Sequence, residues 1–279
     1  IILLKKPMKP LYILKIGGSV ATHKDKPGIS VRTELLGKIA RAIKRARIKK
    51  DFDLILIHGA GAAGHQLAKK FSLKSGTKGD PKRLAGSLLT CLTNQKLDNA
   101  IAEIFISCGL KIFPVHTAST IIQKDSRISD CNLKIIKEAL KSGCLPILYG
   151  EMVFDAELEM SICSGDAIAP YLAKKLGAQK IFFASDIEGI FDKDPHLHRD
   201  AQLLEKLSLK EIWKNDGIDL SGSHNVDVTG GLWGKIKNLD LKHSPSLQSV
   251  EIFNGLKEKN YADILLGKSF PHTTIKIKK

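Results

Sequence analysis

The chain has 279 residues, 43% hydrophobic and 26% charged, ordinary proportions for a globular protein. No apolar run approaches the roughly 18 residues a spanning helix needs, so no membrane partner is expected. The formal net charge of +15 fits a nucleic-acid surface or a lysine-rich exterior around an anionic substrate. Its lysines are spread out without interleaved aromatics, so no nucleic-acid partner is expected.

In chain order, residues 11–16 form a first strand ending at Gly17-Gly18-Ser19. Lys15, near its carboxyl end, reads either as pointing into the ligand crevice of an α/β sheet or as an edge-strand lysine. Thr22 to Gly28 is a polar loop. Residues 31–48 form an amphipathic helix, which carries most of the densest basic patch, Arg41 to Lys50. Leu54 to Ile57 is a strand buried on both faces. Gly59, Gly61 and Gly64 follow, and a helix is expected from His65 onward. Residues 74–83 are a polar loop.

From Pro81 to Cys108, Leu84, Leu88, Leu92, Leu97, Ile101 and Ile104 recur at helical spacing. Strand 111–115 precedes His116-Thr117-Ala118-Ser119, helix 133–142, Gly143 and strand 145–149. Val153 to Glu159 reads as a hairpin turning near Asp155. Ser164-Gly165-Asp166 opens a helix to Leu176, with Gly177 as its left-handed cap. Strand 180–184 leads to Ser185-Asp186-Ile187-Glu188-Gly189 and a short strand or turn at Ile190-Phe191. A helix over 208–214, the loops 221–224 and 227–231, a helix carrying Lys235, and strands 249–253 and 274–277 complete the chain. Strands alternating with helices predict an α/β fold, a mainly parallel central sheet sandwiched between helices. No internal repeat or clear linker interrupts it.

Cys91, Cys108, Cys131, Cys144 and Cys163 are odd in number and form no C-x-x-C pair, so they read as reduced thiols in a cytoplasmic protein. The opening Ile-Ile-Leu-Leu-Lys-Lys-Pro-Met has no signal-peptide layout. Its missing initiator points to a fragment or to a start nearer Met8.

The run from His58 to His65, between a buried strand and a helix, suits an anion such as phosphate. As G-x-G-x-x-G it lacks a strand ending in an acid about 20 residues on. As G-x-x-x-x-G it has His65-Gln66 where a P-loop needs Lys and Ser/Thr. A plain glycine turn remains open on this loop alone. His196 and His198 near Asp192 and Asp194 read as a solvated turn rather than a metal site, and no protein metal site is expected.

Five segments, in this order, resemble the amino acid kinase family: Leu14-Lys15-Ile16-Gly17-Gly18-Ser19, the glycine loop, Ser164-Gly165-Asp166, Ser185-Asp186-Ile187-Glu188-Gly189, and Asp227-Val228-Thr229-Gly230-Gly231 with Lys235. Within it, the chain most resembles the isopentenyl phosphate kinases, through His65, Pro146-Ile147-Leu148-Tyr149-Gly150 and the 227–235 run. Those enzymes usually read His-Gly-Gly-Gly-Ser-Phe-Gly-His. This chain keeps the spacing but has Ala60, Ala62 and Ala63, with Glu151 for an Asp and Ala184-Ser185 for Gly-Thr. Ala60 is expected to cost backbone freedom.

The resemblance implies ATP-dependent phosphorylation of isopentenyl phosphate to isopentenyl diphosphate in isoprenoid biosynthesis, with Mg²⁺ bridging the ATP phosphates. A kinase for another phosphate or phosphonate such as fosfomycin, or a non-catalytic nucleotide- or nucleic-acid-binding protein on this fold, is the alternative. Glutamate 5-kinase fits less well for want of an extra C-terminal domain. A homodimer is implied by the family alone, as is a single domain with an acceptor lobe over about 11–160 and a nucleotide lobe over about 161–279.

Phosphoryl transfer between anions needs positioning and charge neutralisation more than a base. Lys15 and Lys235 would neutralise the transferring group, with Asp166 holding the lysines by salt bridging and His65 donating to the acceptor's phosphate. Gly17, Gly18, Gly59 and Gly61 can offer N–H donors. Nucleotide contacts fall to Gly17, Gly18, Ser19, Lys24, Ser185, Asp186, Gly189, Gly230 and Gly231. Acceptor contacts fall to Gly59, Ala60, Gly61, Gly64, His65, Gly150 and Gly165. Leu84, Leu88, Cys91 and Leu92 share a helix face that reads either as core or as a slot for the acceptor's tail, with Ser87 or Cys91 leaving room.

Overall fold

Residues alternate faces along a strand, and β1 (Leu11–Ile16), buried throughout, shows the consequence. Tyr12, Leu14 and Ile16 join one core, whereas Leu11 and Ile13 join the other. The same alternation puts Lys15 on the second face. The computed structural model describes residues 9–24, 26, 28–193, 195, 197–209 and 244–277. The 227–231 loop with Gly230 and Gly231, Lys235, His196 and Asp194 therefore lie outside the described residues.

β1 pairs in parallel with β2 (Asp53–His58) at the centre of an eight-stranded sheet. The remaining strands are β3 (Ile112–Pro114), β6 (Leu145–Tyr149), β9 (Lys180–Ser185), β10 (Lys206–Ser208), β11 (Ser249–Asn254) and β12 (Thr273–Lys276). Their order is β10-β12-β11-β9-β1-β2-β6-β3. Only β11–β12 is antiparallel among these pairs. The mainly parallel sheet flanked by helices is as expected. Ser208, expected to begin a helix, instead ends β10.

Helices α2 (Thr33–Lys49), α4 (Pro81–Ser107) and α8 (Lys259–Leu266) cover one face through Leu36, Ile43, Leu97, Ile101, Tyr261 and Leu265. On the other, α6 (Leu133–Lys141) and α7 (Gly165–Leu176) bury Ile136, Ile168 and Leu172. Short helices α1 (Gly18–Ala21) and α5 (Thr117–Thr120) sit at strand ends. Asp80 caps α4, its Oδ1 accepting from the N–H groups of Lys82 and Arg83 at 2.9 and 3.1 Å. Pro81 adds a preset φ at the first helical position.

A second sheet, ordered β5-β4-β7-β8, was not foreseen as such. Its hairpin β7 (Glu151–Asp155) and β8 (Glu159–Cys163) extends the predicted one, while β4 (Ile121–Lys124) and β5 (Arg127–Cys131) fall where no strand was read. Their turn uses Asp125 and Ser126 at φ +50° and +59°. The Asp155 carboxylate holds that unfavoured turn, accepting from both N–H groups at 3.0 and 2.8 Å. The stabilising partner is 30 residues away from Asp125, beyond any local pattern.

α3 (Gly61–Lys70) starts four residues earlier than expected, so His65 lies in its second turn rather than at its start. Ala60 is right-handed at φ −61°, where its methyl is tolerated, while Gly61 takes φ +69°, which favours glycine. The expected cost of Ala60 is therefore absent.

Candidate active site

Three chain turns meet at the carboxyl ends of β1, β2 and β6. A Cβ on Gly59 would lie 2.7 Å from Gly18 N, and one on Gly18 would lie 3.0 Å from Gly61 N. The two glycine turns thus touch backbone to backbone, an approach that side chains would prevent. A Cβ on Gly150 would come within 3.2 Å of Gly165 N and 3.6 Å of Ala60 N. One on Gly165 would press on Ile57 and the His58 carbonyl at 3.0 and 3.2 Å.

Not every glycine can serve as a donor. Gly17 N–H donates to the Ala184 oxygen at 2.9 Å and Gly59 N–H to that of Ile16 at 3.0 Å. Both fasten strand ends instead, so the expected donors reduce to Gly18 and Gly61. Ala60 and Gly61, right-handed then left-handed, turn successive N–H groups to one side, a backbone nest suited to an anion. Thr22 Oγ1 braces the nest by accepting from Ala62 N–H at 3.2 Å and donating to the Gly18 oxygen at 2.9 Å.

Lys15 Nζ lies 2.8 Å from Asp166 Oδ1, with both side chains almost wholly buried. The pairing follows from strand alternation: β1 turns Lys15 toward α7, and Asp166 lies in the first turn of that helix. Ser164 caps α7 through Oγ, which accepts from Ala167 N–H at 3.2 Å. Breaking such a pair strands a buried charge.

Lys24 and Asp186, separately read as nucleotide contacts, form a half-exposed ion pair at 2.8 Å. Burial raises the Asp186 carboxyl, but the Lys24 hydrogen bond and charge leave it lowered overall. Gly189 is packed so closely that a Cβ would lie 2.3 Å from Thr273 Oγ1. Ser19 lies in α1 and Ser185 ends β9, both half-buried.

His65 is exposed. At about 100° per residue it lies three positions before Ala68 on the same side of α3. Ala68 belongs to a small third cluster with Leu73, Met152 and Met160, flanked by half-buried Phe71, Leu84, Cys91 and Ile162. Of the α4 positions read as core or slot, Leu84 and Cys91 join this cluster. Leu88 and Leu92 are 56% and 49% exposed, so neither is core. The helix turns a polar stripe inward instead: Ser87, Thr90, Asn94 and Asp98 are all buried.

That stripe holds residues the sequence reading missed. Asn94 Nδ2 donates to the Gly150 oxygen at 3.3 Å and to Glu151 Oε1 at 3.0 Å. A Cβ on Gly64 would meet Asn94 Oδ1 at 2.4 Å, so this glycine gives the amide its place. Asp98 faces His58. Burial pushes the Glu151 carboxyl up to about 8 and the Cys91 thiol up to about 12. The signal available was the four-three-four spacing of Ser87, Cys91, Asn94 and Asp98, masked by the leucines beside it.

A strand-end cradle of backbone N–H groups beside a buried lysine–carboxylate pair defines an anion-handling site of the phosphotransferase type. The profile of the Amino acid kinase family matches residues 10–239, and the chain belongs to that family. It is similar to isopentenyl phosphate kinase from Methanocaldococcus jannaschii, at 33% identity over 92% of this chain and 96% of the relative. It is likewise similar to isopentenyl phosphate kinase from Methanothermobacter thermautotrophicus, at 30% identity over 95% and 98%. A solved structure of isopentenyl phosphate kinase superposes with a TM-score of 0.80 at 26% identity, covering 95% of this chain and all of that one.

Proposed function

We propose that this chain transfers the γ-phosphoryl group of ATP to isopentenyl phosphate, giving isopentenyl diphosphate and ADP for isoprenoid biosynthesis. The observation that carries it is the backbone nest at Ala60–Gly61 beside the Lys15–Asp166 pair, in a chain resembling isopentenyl phosphate kinases over nearly its whole length. An acceptor phosphate oxygen attacks the γ-phosphorus, the bond to the β–γ bridging oxygen breaks, and ADP leaves with that electron pair. The acceptor oxygen is already anionic near neutral pH, so no general base is required.

Lys15 offsets the negative charge gathered by two phosphates, and Asp166 holds its ammonium in place. Lys235 supplies a second cation in the same reading. The nest and His65 hold the acceptor's phosphate, and its tail runs along Ala68 toward Leu84 and Ile162. Gly18, Ser19, Lys24, Ser185, Asp186, Gly189, Gly230 and Gly231 form the ATP side. Among the described residues no group of three or more His, Cys, Asp or Glu is arranged to hold a metal. Mg²⁺ bridging the ATP phosphates belongs to the same proposal on family grounds.

The homodimer and the two-lobe division, acceptor over about 11–160 and nucleotide over about 161–279, belong to the proposal on family grounds. Cytoplasmic location is supported by the free state of all five cysteines. Among the described residues no helix is long and apolar enough to cross a membrane. The test is ADP release with isopentenyl phosphate, dimethylallyl phosphate, fosfomycin, glutamate and UMP. Turnover confined to fosfomycin, or none at all, would refute the assignment.

A further inference from the structure

His58 and Asp98 are wholly buried, with His58 Nε2 3.1 Å from Asp98 Oδ1 and His58 Nδ1 2.9 Å from the Gly59 carbonyl oxygen. A carbonyl oxygen only accepts, so Nδ1 carries a hydrogen. The Nε2–Oδ1 contact needs one more hydrogen, borne by either atom. The pair therefore shares one proton, and the ring is oriented from both ends. Tyr149 stacks on it with centroids 5.3 Å apart and planes 15° apart, which fixes the tilt as well.

The carbonyl that His58 grips belongs to the same peptide unit as Ala60 N–H. In a trans peptide those two groups point in opposite directions. Holding the Gly59 oxygen on one side turns Ala60 N–H to the other, and a Cβ on Gly150 would lie 3.6 Å from that nitrogen. Ala60 N–H is also the first donor of the right-to-left-handed nest. A buried carboxyl group on α4 thus sets the direction of a donor in the acceptor cradle.

We infer that His58, held by Asp98, is a positioning residue that aims the Ala60 N–H at the acceptor's phosphate. The inference rests on the acceptor-phosphate reading of the nest. It predicts that loss of the grip weakens the acceptor and spares ATP, which a general structural role would not do.

The test uses the full chain. In ¹⁵N-labelled wild-type protein, His58 Nδ1 should be protonated, and added inorganic phosphate should shift the Ala60 amide resonance. A bare Nδ1, or an Ala60 amide unmoved by phosphate, overturns the proposal. In steady-state kinetics, His58→Leu should raise the KM for isopentenyl phosphate about tenfold or more, the loss from misdirecting one hydrogen bond to a charged group. The KM for ATP should stay within about twofold.

Asp98→Asn provides the conservative rescue. Its amide can donate to Nε2, keeping the hydrogen on Nδ1, so the acceptor KM should stay within about threefold of wild type. Asp98→Leu should behave like His58→Leu. A wild-type acceptor KM in both leucine variants, or equal rises for ATP and acceptor, overturns the proposal. If the leucine variants do not fold, Asp98→Asn and the wild-type resonances decide it. Failure of the wild type to phosphorylate isopentenyl phosphate would refute the substrate alone, since the phosphate titration reads the Ala60 donor without turnover.

Discussion

Replacing Glu151 with glutamine is expected to stabilise the protein at alkaline pH and to leave it nearly unchanged at acid pH. Glu151 is 3% exposed, and its Oε1 accepts from Asn94 Nδ2 at 3.0 Å and Met152 N–H at 2.8 Å. Those donors favour the charged form. Burial outweighs them and, with Asp98 nearby, pushes the carboxyl from 4.5 up to about 8. Below 4.5 both folded and unfolded chains hold the proton and no penalty exists. Between 4.5 and about 8 the folded chain keeps a proton that the unfolded chain has released, so stability falls as pH rises. Above that window the loss is complete. At about 1.4 kcal/mol per unit the full loss is on the order of 3–5 kcal/mol. Glutamine keeps an acceptor for both donors and carries no charge. Thermal unfolding from about pH 5 to 9 should therefore show the variant's Tm converging with wild type at the acid end. At the alkaline end it should exceed wild type by roughly 6–20 °C, at about 2–4 °C per kcal/mol. A constant offset between the two curves, or a lower alkaline Tm for the variant, would refute the reasoning.

Asp166→Asn should cut turnover by about 100-fold or more while leaving a folded protein, because its carboxylate orients the buried Lys15 ammonium; outright unfolding on circular dichroism would make it a structural residue. Lys235→Ala should lower kcat by a similar order with ATP affinity nearly intact, since its proposed charge acts mainly in the transition state, and wild-type-like turnover would remove it from the site. Leu84→Ala or Ile162→Ala should raise activity on geranyl phosphate relative to isopentenyl phosphate, an apolar slot discriminating by about 1–3 kcal/mol per methylene. Leu88→Ala and Leu92→Ala, at exposed positions, should leave that ratio unchanged, and a shift only in these two would move the tail to the outer face of α4.

The central strands were legible because the mainly apolar runs Leu11–Ile16 and 54–57 have few other homes than a doubly covered sheet. The bounds of α7 were legible through Ser164 and Gly177, whose cap chemistry is local. Site geometry was less so. That Gly17 and Gly59 donate to neighbouring strands, leaving Gly18 and Gly61, depends on contacts across β1, β2 and β9. The tolerance for Ala60 depends on its φ, which the sequence does not state. His58 read only as the first residue of the glycine run, because its partner Asp98 lies 40 residues on, in a helix whose inward face was misjudged.

That misjudged face explains much of the site. A helix built only for stability would bury Leu88, Leu89 and Leu92 and expose Ser87, Asn94 and Asp98. α4 does the reverse. Ser87 Oγ, Asn94 Oδ1 and Asp98 Oδ2 are buried and lack a hydrogen-bond partner among the described residues. An unpaired buried polar group costs about 1–3 kcal/mol, so the arrangement is a standing expense in stability. What offsets it functionally is where the paired atoms reach. Asn94 holds the Gly150 carbonyl and Glu151, and Asp98 holds the histidine that grips Gly59. Both lines of contact end on backbone that frames the proposed acceptor cradle, and neither side chain need touch a ligand. Conflict between the local hydrophobic pattern and the buried face is the signature expected where a fold gives up stability for a site. In this chain it falls on the helix that supports the cradle from behind.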